Sequence, residues 1–399
     1  MGTTTYFKRE VLILLMVAGI LFVFALFLFY AFTYWGIPSD IKGHTKTMLN
    51  LMGMGSFPTP PLYYLSVYLT ATIFSLQFYN AAIIILATLI VLKFWITRHL
   101  ITINLPDIHI NHPKITILSL MLLFVMPVHL QLFTEIGNGL NQALSSNMYL
   151  GKLSPNIWHN STTIATMPFI ILLMIQTFNY VKRESIELKN VIFMAITGVI
   201  ILLIKPSFLF AFIPALPLYL LIRHQVAKKT YVAIALSAFY FLFIIVEYYF
   251  VYIVDVYHLA GYDKTTIGID LFSFWKYFSQ NIPLDVLLSL IFPVSVLIAY
   301  KDQLKNEEFL KFTWILLGFA YLVSILFTEI ERPSFGNFTW QVIMVQYLLY
   351  AVSLRLYLSN TLTQNPPVLK NRIVLGVFSL HFITGLFYIY KLFALKSYM

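Results

Sequence analysis

The sequence predicts an all-α, polytopic membrane protein with about 11 transmembrane helices, or 12 if one ambiguous segment also crosses. Two observations predict this fold class. The 399 residues are 60% hydrophobic and only 11% charged, whereas soluble domains carry about 25% charged residues. Runs of roughly 20 apolar residues, which is the length that crosses a bilayer as a helix, recur along the whole chain. Because no long polar stretch separates these runs, residues 1–399 are expected to form a single integral membrane domain.

The first predicted span is the apolar run Val11–Tyr34, which follows Lys8 and Arg9. A secretory signal has an apolar core of about 7–15 residues, and this run is longer. We therefore expect an uncleaved first helix whose basic N-terminus is cytoplasmic.

The other spans are expected to alternate between basic cytoplasmic loops and less basic outer loops that carry short helices. They are predicted at about 79–97, 115–133, 162–180, 190–204, 206–222, 231–254, 283–300, 311–328, 338–358 and 373–394. Residues 60–76 form the ambiguous segment, because a full crossing there would break the alternation further on. They are expected to be re-entrant, or to form a short helix that begins and ends outside.

Composition also limits the chemistry. The chain has no cysteine, which excludes disulfides and thiolate ligands. Its nine histidines show no metal-binding spacing, and no phosphate-binding loop of the nucleotide type is present. The formal charge of +10 is spread over loops, which indicates topology and anionic lipid contacts and not a nucleic-acid surface. We therefore expect no metal, no cofactor and no nucleic-acid partner.

The loop after the first span, SDIKGHTKTMLNLMGMGSFPTPPLYY, is the first candidate site. Asp40 and His44 are four residues apart, so one helical turn places them on one face, with Lys42 and Lys46 close by. A carboxylate can deprotonate or orient a sugar hydroxyl, and an imidazole or ammonium can bind a departing phosphate. An interfacial loop whose lysines extend to lipid headgroups explains the same residues without a site.

The outer loop over residues 134–161 holds the second candidate. A polar stripe runs through this loop, and the run WHN lies directly before the next span. Together they offer amides, an aromatic ring and an imidazole, which are groups that suit a sugar-binding site. Capping of the following helix is the alternative. The candidates here are Glu135, Asn138, Asn141, Asn156, Trp158, His159 and Asn160.

The run Lys205-Pro206-Ser207 interrupts two apolar segments without room for a long loop. A lysine, a hydroxyl and the free N–H groups at a helix start together favour a phosphate or diphosphate site. A lysine that extends to the interface from a tight turn is the alternative.

The last polar run, TEIERPSFGNFTWQ, leads into the tenth predicted span. Glu329, Glu331 and Arg332 are expected to pair with one another. Asn337 and Trp340 repeat the combination of amide and aromatic ring that suits a sugar.

Several of these runs resemble a known family. The chain resembles bacterial members of the GT-C superfamily, which are membrane glycosyltransferases that use polyprenyl-phosphate-linked sugars. The resemblance lies in SDIKGH after the first span, PPLYY at residues 60–64, SPNIWHN and KPS. Two features depart from that pattern. A second acidic residue near Asp40 is replaced by Lys42 and His44, and no soluble domain follows the last span, so we expect a small or lipid-bound acceptor.

The resemblance implies an inverting, metal-independent transfer from a polyprenyl-phosphate sugar to a glycan or lipid-linked acceptor. It implies the inner membrane, with the active site on the outer face. Asp40 is the implied general base, and Lys205 with Ser207 is expected to hold the departing phosphate. The implied substrate-binding set is Lys42, His44, Glu135, Asn138, Trp158, His159, Asn160, Lys205, Ser207, Asn337 and Trp340.

Two other functions fit a membrane protein of this kind. A polymerase or ligase of lipid-linked glycans shares the donor, but the outer loops of about 25–30 residues are short for one. A transporter or flippase would carry polar residues near the middle of its spans, and many transporters show internal repeats, of which we find none.

Overall fold

The computed structural model describes residues 2–103, 105, 112–129, 150–224, 227–254, 258, 264–363 and 367–396. Over these residues the fold is almost entirely helical. The helices are α1 (Gly2–Tyr34), α2 (Asp40–Gly53), α3 (Leu62–Ile73), α4 (Phe78–Thr102), α5 (Pro113–Leu122), α6 (Ser161–Lys182), α7 (Leu188–Ile204), α8 (Ser207–His224), α9 (Lys228–Tyr248), α10 (Ser273–Phe278), α11 (Ile282–Ala299), α12 (Glu308–Leu326), α13 (Trp340–Thr363) and α14 (Val368–Leu395). Helix α9 continues as a π-helix over Tyr249–Ile253, and 3-10 turns cover Lys301–Asn306 and Pro333–Phe335.

Eight helices in the described part of the chain are long and apolar enough to cross a membrane, so the predicted all-α polytopic class is confirmed at that level. They are Val11–Tyr34, Phe78–Thr102, Ser161–Lys182, Lys228–Ile253, Ile282–Ala299, Glu308–Leu326, Pro333–Thr363 and Val368–Leu395. The predicted count of about 11 is not confirmed, because three predicted spans correspond to shorter helices, α5, α7 and α8.

The predicted span over residues 115–133 is wrong for residues 123–129, because α5 ends at Leu122 after ten residues; residues 130–133 lie outside the described part of the chain. The chain then runs without regular structure to His129. The amide of Asn156 donates to the carbonyls of Leu122 and Val125 at 2.8 and 3.0 Å, which satisfies backbone groups that the broken helix leaves open. The ammonium of Lys93 in α4 donates to Oδ1 of the same asparagine at 2.8 Å. This buried polar contact fixes the loop that leads into α6.

The ambiguous segment forms α3, a helix of 12 residues. At about 1.5 Å per residue it is about 18 Å long, which is shorter than the roughly 30 Å hydrocarbon core. Tyr63, Tyr64 and Val67 on α3 are buried, so one face of this short helix packs inside the protein.

Helix α13 lies at the centre of the bundle. It packs against α4, α5, α6, α8, α11, α12 and α14, and nearly all of it is buried. It also carries buried polar side chains, among them Gln346, Ser353 and Asn360. Helices α1 and α9 are the least buried of the eight long helices, and apart from Lys228 the exposed residues of Val11–Tyr34 and of α9 are apolar. Among these eight helices the central one is the least apolar and α1 at the periphery is the most apolar, as expected where the surrounding solvent is lipid.

Helix α14 approaches the break after α5 at Gly385, where an added Cβ would overlap the carbonyl oxygen of Phe124. We expect Gly385→Ala to destabilise the protein, by about 1–3 kcal/mol or more, since backbone must move. Gly376→Ala on the same helix meets nothing within 4 Å, and it should be neutral or slightly stabilising because alanine is the better helix former. Thermal unfolding of the two variants in detergent tests this contrast. Equal unfolding midpoints would refute the close approach.

A two-stranded antiparallel sheet joins the loops before α10 and after α12. Strand β1 (Ile267–Ile269) pairs with β2 (Phe327–Glu329), and Ile267 lies opposite Glu329. Just beyond β2, the carboxylate of Glu331 accepts from the Thr265 hydroxyl at 2.9 Å and from the Thr266 amide at 2.6 Å. The Thr266 amide is the main reason that the pKa of Glu331 falls to about 2. The sheet thereby holds Glu329 in a fixed register.

Candidate functional site

A cavity of about 850 Å³ opens where α2, α3, the α7–α8 turn, the end of α9, the sheet and the start of α13 meet. Segments that are far apart in sequence all contribute polar side chains to its wall. The polar and charged residues that line it are Asp40, His44, Thr47, Thr59, Tyr64, Asn160, Thr162, Lys205, Ser207, Glu247, Tyr248, Tyr252, Thr265, Tyr277, Glu329, Arg332, Ser334, Asn337 and Trp340.

Asp40 is the first residue of α2, where a carboxylate is favoured by the free N–H groups of the helix start. Its backbone N–H donates to the carbonyl of His159 at 2.9 Å. Its Oδ2 accepts from the side-chain amide of Asn160 at 2.7 Å. Two contacts with the loop before α6 therefore fix this half-buried carboxylate at the cavity wall.

A chain of side-chain hydrogen bonds joins Asp40 to Lys205. The ammonium of Lys205 donates to the Thr162 hydroxyl at 3.3 Å, and that hydroxyl donates to Oδ1 of Asn160 at 3.3 Å. Asn160 then donates to Asp40, and its Oδ1 also accepts from the Thr163 amide at 3.0 Å as the N-cap of α6. The rigid first turn of α6 thus sets the relative positions of an anion and a cation in one cavity.

Lys205 lies in the turn between α7 and α8. Its Nζ is 4.9 Å from the centre of the Trp340 ring, a cation–π contact. Desolvation lowers the pKa of Lys205 to about 8, while the carboxylates of Asp40, Glu247 and Glu329 act in the opposite direction. The charge of the ammonium therefore interacts favourably with three acidic side chains of the cavity.

His44 lies one turn after Asp40 on α2, as predicted. Its Nδ1 is 2.7 Å from the hydroxyl of Tyr64 on α3. Burial lowers the pKa of His44 to about 4, despite the opposing effect of Asp40. A neutral imidazole at pH 7 can take part in hydrogen bonds here but adds no positive charge.

A second set of contacts runs from Ser207 to Glu329. The Ser207 hydroxyl donates to the carbonyl of Asn337 at 3.4 Å, and the Asn337 amide donates to Oε2 of Glu329 at 2.8 Å. The phenol of Tyr252 donates to Oε1 of Glu329 at 2.9 Å. Burial raises the pKa of Glu329 in spite of these donors. We call Glu329, Tyr252 and Asn337 the Glu329 cluster.

The structure brings together seven of the twelve residues predicted for the site. Asp40, His44, Asn160, Lys205, Ser207, Asn337 and Trp340 all line the cavity. Glu135 and Asn138 lie outside the described residues. Of the acidic residues expected to pair with Arg332, Glu329 feels its charge, which acts to lower the pKa of Glu329, and the backbone N–H of Arg332 donates to the carbonyl of Glu329 at 3.2 Å.

Three predicted residues do not line the cavity. Lys42 is exposed on α2. The Trp158 ring is buried, stacked on Phe124 with 5.2 Å between ring centres. The His159 ring is also buried, with Nδ1 3.2 Å from the hydroxyl of Tyr388. Of these three consecutive residues, Asn160 has its side chain at the cavity, while the side chains of Trp158 and His159 are buried elsewhere. The expectation that Trp158 and His159 shape the cavity wall is therefore corrected.

Sequence reasoning missed Thr162, Glu247 and Tyr252. Glu247 is a lone carboxylate in the apolar run FLFIIVEYYF, and an acidic residue inside a span is itself a signal of function. Tyr252 lies in the π-helix that ends α9, and such irregular turns often accompany functional sites. Nothing in the sequence distinguishes Thr162 from other threonines at helix starts.

The chain matches no protein-family model and no curated protein. The site is therefore interpreted from its own geometry.

Proposed function

We propose that the protein is a membrane glycosyltransferase that takes a sugar from a polyprenyl-phosphate donor. One observation carries the proposal. A fixed carboxylate, Asp40, and a desolvated ammonium, Lys205, face one cavity and are tied together through Thr162 and Asn160. Transfer from a sugar phosphate needs a base at the acceptor and a cation at the leaving group, and these are the two groups that the cavity supplies.

The surroundings of the cavity suit a lipid-linked donor. Ile244, Tyr248 and Val251 line it from α9 and its π-helix, while their neighbours Ile245 and Val246 are exposed on the outer surface of the bundle. A single apolar helix thus separates the cavity from the lipid side. The N-terminus of α8, with Ser207, adds N–H groups that favour a phosphate beside Lys205.

In the proposed reaction Asp40 takes the proton of the acceptor hydroxyl as its oxygen attacks the anomeric carbon. The bond from that carbon to the phosphate oxygen breaks, and its electron pair leaves with the polyprenyl phosphate. Lys205 and the α8 N-terminus stabilise the negative charge that grows on this leaving group. Attack opposite the leaving group inverts the anomeric centre, and Asp40 afterwards releases the proton to water.

A direct assay separates this function from the alternatives. Purified protein in lipid nanodiscs is incubated with radiolabelled polyprenyl-phosphate hexoses and pentoses and with an envelope lipid extract as the source of acceptor. A transferase releases polyprenyl phosphate and moves the label to a new product. A transporter or flippase changes no covalent bond. A polymerase or ligase gives products that carry more than one added sugar unit.

The chain of hydrogen bonds between the two charges gives a further prediction. Thr162→Val keeps the shape of the side chain but removes the hydroxyl, so Lys205 loses its link to Asn160. We expect turnover to fall about tenfold, in the range of one lost hydrogen bond to a charged group. Thr166→Val is the matched control, because within the described part of the chain that hydroxyl bonds the carbonyl of Thr162 one turn earlier and no side chain. Equal turnover in the two variants would show that the link is not used.

A further inference from the structure

We propose that the Glu329 cluster is a second subsite of the cavity, which binds the hydroxyl groups of a sugar ring. This inference rests on the proposed function, and it assigns a recognition role to residues that the reaction itself does not require. The cluster belongs to the same cavity as Asp40 and Lys205 but is reached through different elements, the end of α9, strand β2 and the start of α13.

The geometry of Glu329 is suited to binding hydroxyl donors. Tyr252 donates to one of its oxygens and Asn337 to the other, so the carboxylate is held at both ends. A carboxylate has about four acceptor positions, and these two bonds use half of them. The side chain is 6% exposed and its register is fixed by the β1–β2 pairing. Oriented acceptors that face a cavity are what a pair of neighbouring sugar hydroxyls requires.

Aromatic rings complete this part of the cavity. Flat aromatic faces cover the apolar C–H faces of a sugar, while the polar groups bind its rim. The aromatic residues that line the cavity near the sheet, α10 and the start of α13 are Tyr277, Phe278, Phe335, Phe338 and Trp340. A cluster that served only to hold β2 against α9 would need neither these rings nor access to the cavity.

The cluster is also connected to the phosphate-binding turn. Ser207 donates to the carbonyl of Asn337, the residue whose amide holds Glu329. Two series of hydrogen bonds therefore begin at the Lys205–Ser207 turn, and one leads to Asp40 while the other leads to Glu329. A sugar held at Glu329 lies next to the turn that we assign to the phosphate, which is where either the transferred sugar or a carbohydrate acceptor has to be.

The subsite is tested by comparing the binding of lipids that carry the sugar with the binding of lipids that lack it. Intrinsic fluorescence of the protein in nanodiscs is titrated with sugar-free polyprenyl phosphate and with polyprenyl-phosphate hexoses. If the cluster holds the donor sugar, Glu329→Gln weakens binding of the sugar-bearing lipid by about tenfold or more, the range for a hydrogen bond to a charged group. Binding of the sugar-free lipid stays within about twofold. If the cluster holds the acceptor, both lipids bind as in the wild type and the KM for the extract rises instead.

Two further variants keep the test decisive. Glu184→Gln is the matched control, since Glu184 is exposed between α6 and α7 and does not line the cavity, and it should leave all three quantities unchanged. Tyr252→Phe removes one donor to Glu329 and should act in the same direction as Glu329→Gln, should the latter fold poorly. The subsite is refuted if Glu329→Gln and Tyr252→Phe match the wild type throughout, or weaken the sugar-free lipid equally. A wild type that binds no polyprenyl phosphate refutes the proposed function itself.

Discussion

Replacing Asp40 with asparagine is expected to reduce sugar transfer by at least about 100-fold, the lower end of what a positioned general base contributes. Asparagine has nearly the same shape and its oxygen can still accept from the amide of Asn160, but it cannot take a proton. The hydrogen bond from the Asp40 backbone N–H to the carbonyl of His159 does not involve the side chain, so it and the start of α2 survive the change. The measurement is the release of polyprenyl phosphate from a radiolabelled polyprenyl-phosphate sugar in nanodiscs.

The matched control for this change is Asp302→Asn. Asp302 is exposed in the 3-10 turn Lys301–Asn306 and does not line the cavity, so the same chemical change there should leave transfer intact. Donor binding by Asp40→Asn should also persist, because the proposed phosphate contacts come from the α7–α8 turn. Full activity in Asp40→Asn would remove this residue from the role of base.

Lys205→Met is expected to weaken binding of polyprenyl phosphate by about 10- to 100-fold, the range for a charge-assisted hydrogen bond. Methionine keeps much of the side-chain length and can still pack on Trp340, but it removes the ammonium whose charge interacts with Asp40, Glu247 and Glu329. An anionic headgroup would then lose this cation, and Arg332 would be the remaining permanent cation among the described residues that line the cavity. Lys189→Met, on the exposed first turn of α7, should bind polyprenyl phosphate as the wild type does.

The pH dependence of binding provides a second readout of the same residue. Because the pKa of Lys205 is about 8 and its charged form binds the phosphate, affinity should fall as pH rises above about 8. An ordinary lysine would keep its charge to about pH 10. Lys205→Arg should retain affinity to higher pH, and Lys205→Met should show no such fall. An affinity that stays constant from pH 7 to 9.5 in the wild type would contradict this assignment.

Much of the site could be predicted because polar groups are rare in this chain. In a sequence with 11% charged residues, each polar run at the end of an apolar segment must face water, headgroups or protein. That reasoning found Asp40, Asn160, Lys205 and Asn337, and the structure places all four on one cavity. The lengths of the apolar runs are enough to predict the fold class, because they identify most of the long helices.

The remaining features depend on packing, which spacing along the chain does not encode. The same run WHN sends Trp158 and His159 into the interior and Asn160 to the cavity, because the loop before α6 is held by Asn156 and Lys93. The early end of α5 depends on that asparagine, which lies more than 30 residues later. Residues 60–76 are ambiguous in the sequence because their apolar run is as hydrophobic as a true span, and only the alternation of the loops indicates the short helix that α3 forms.

The burial of a comparatively polar α13 has a consequence for biogenesis. A helix with two buried glutamines, a serine and an asparagine partitions into bare lipid less readily than α1 does. Most of the helices that enclose α13, namely α4, α5, α6, α8, α11 and α12, precede it in the chain and are synthesised first. Nascent α13 can therefore leave the translocation channel and pack directly against these earlier helices, which already offer hydrogen-bond partners for its side-chain amides.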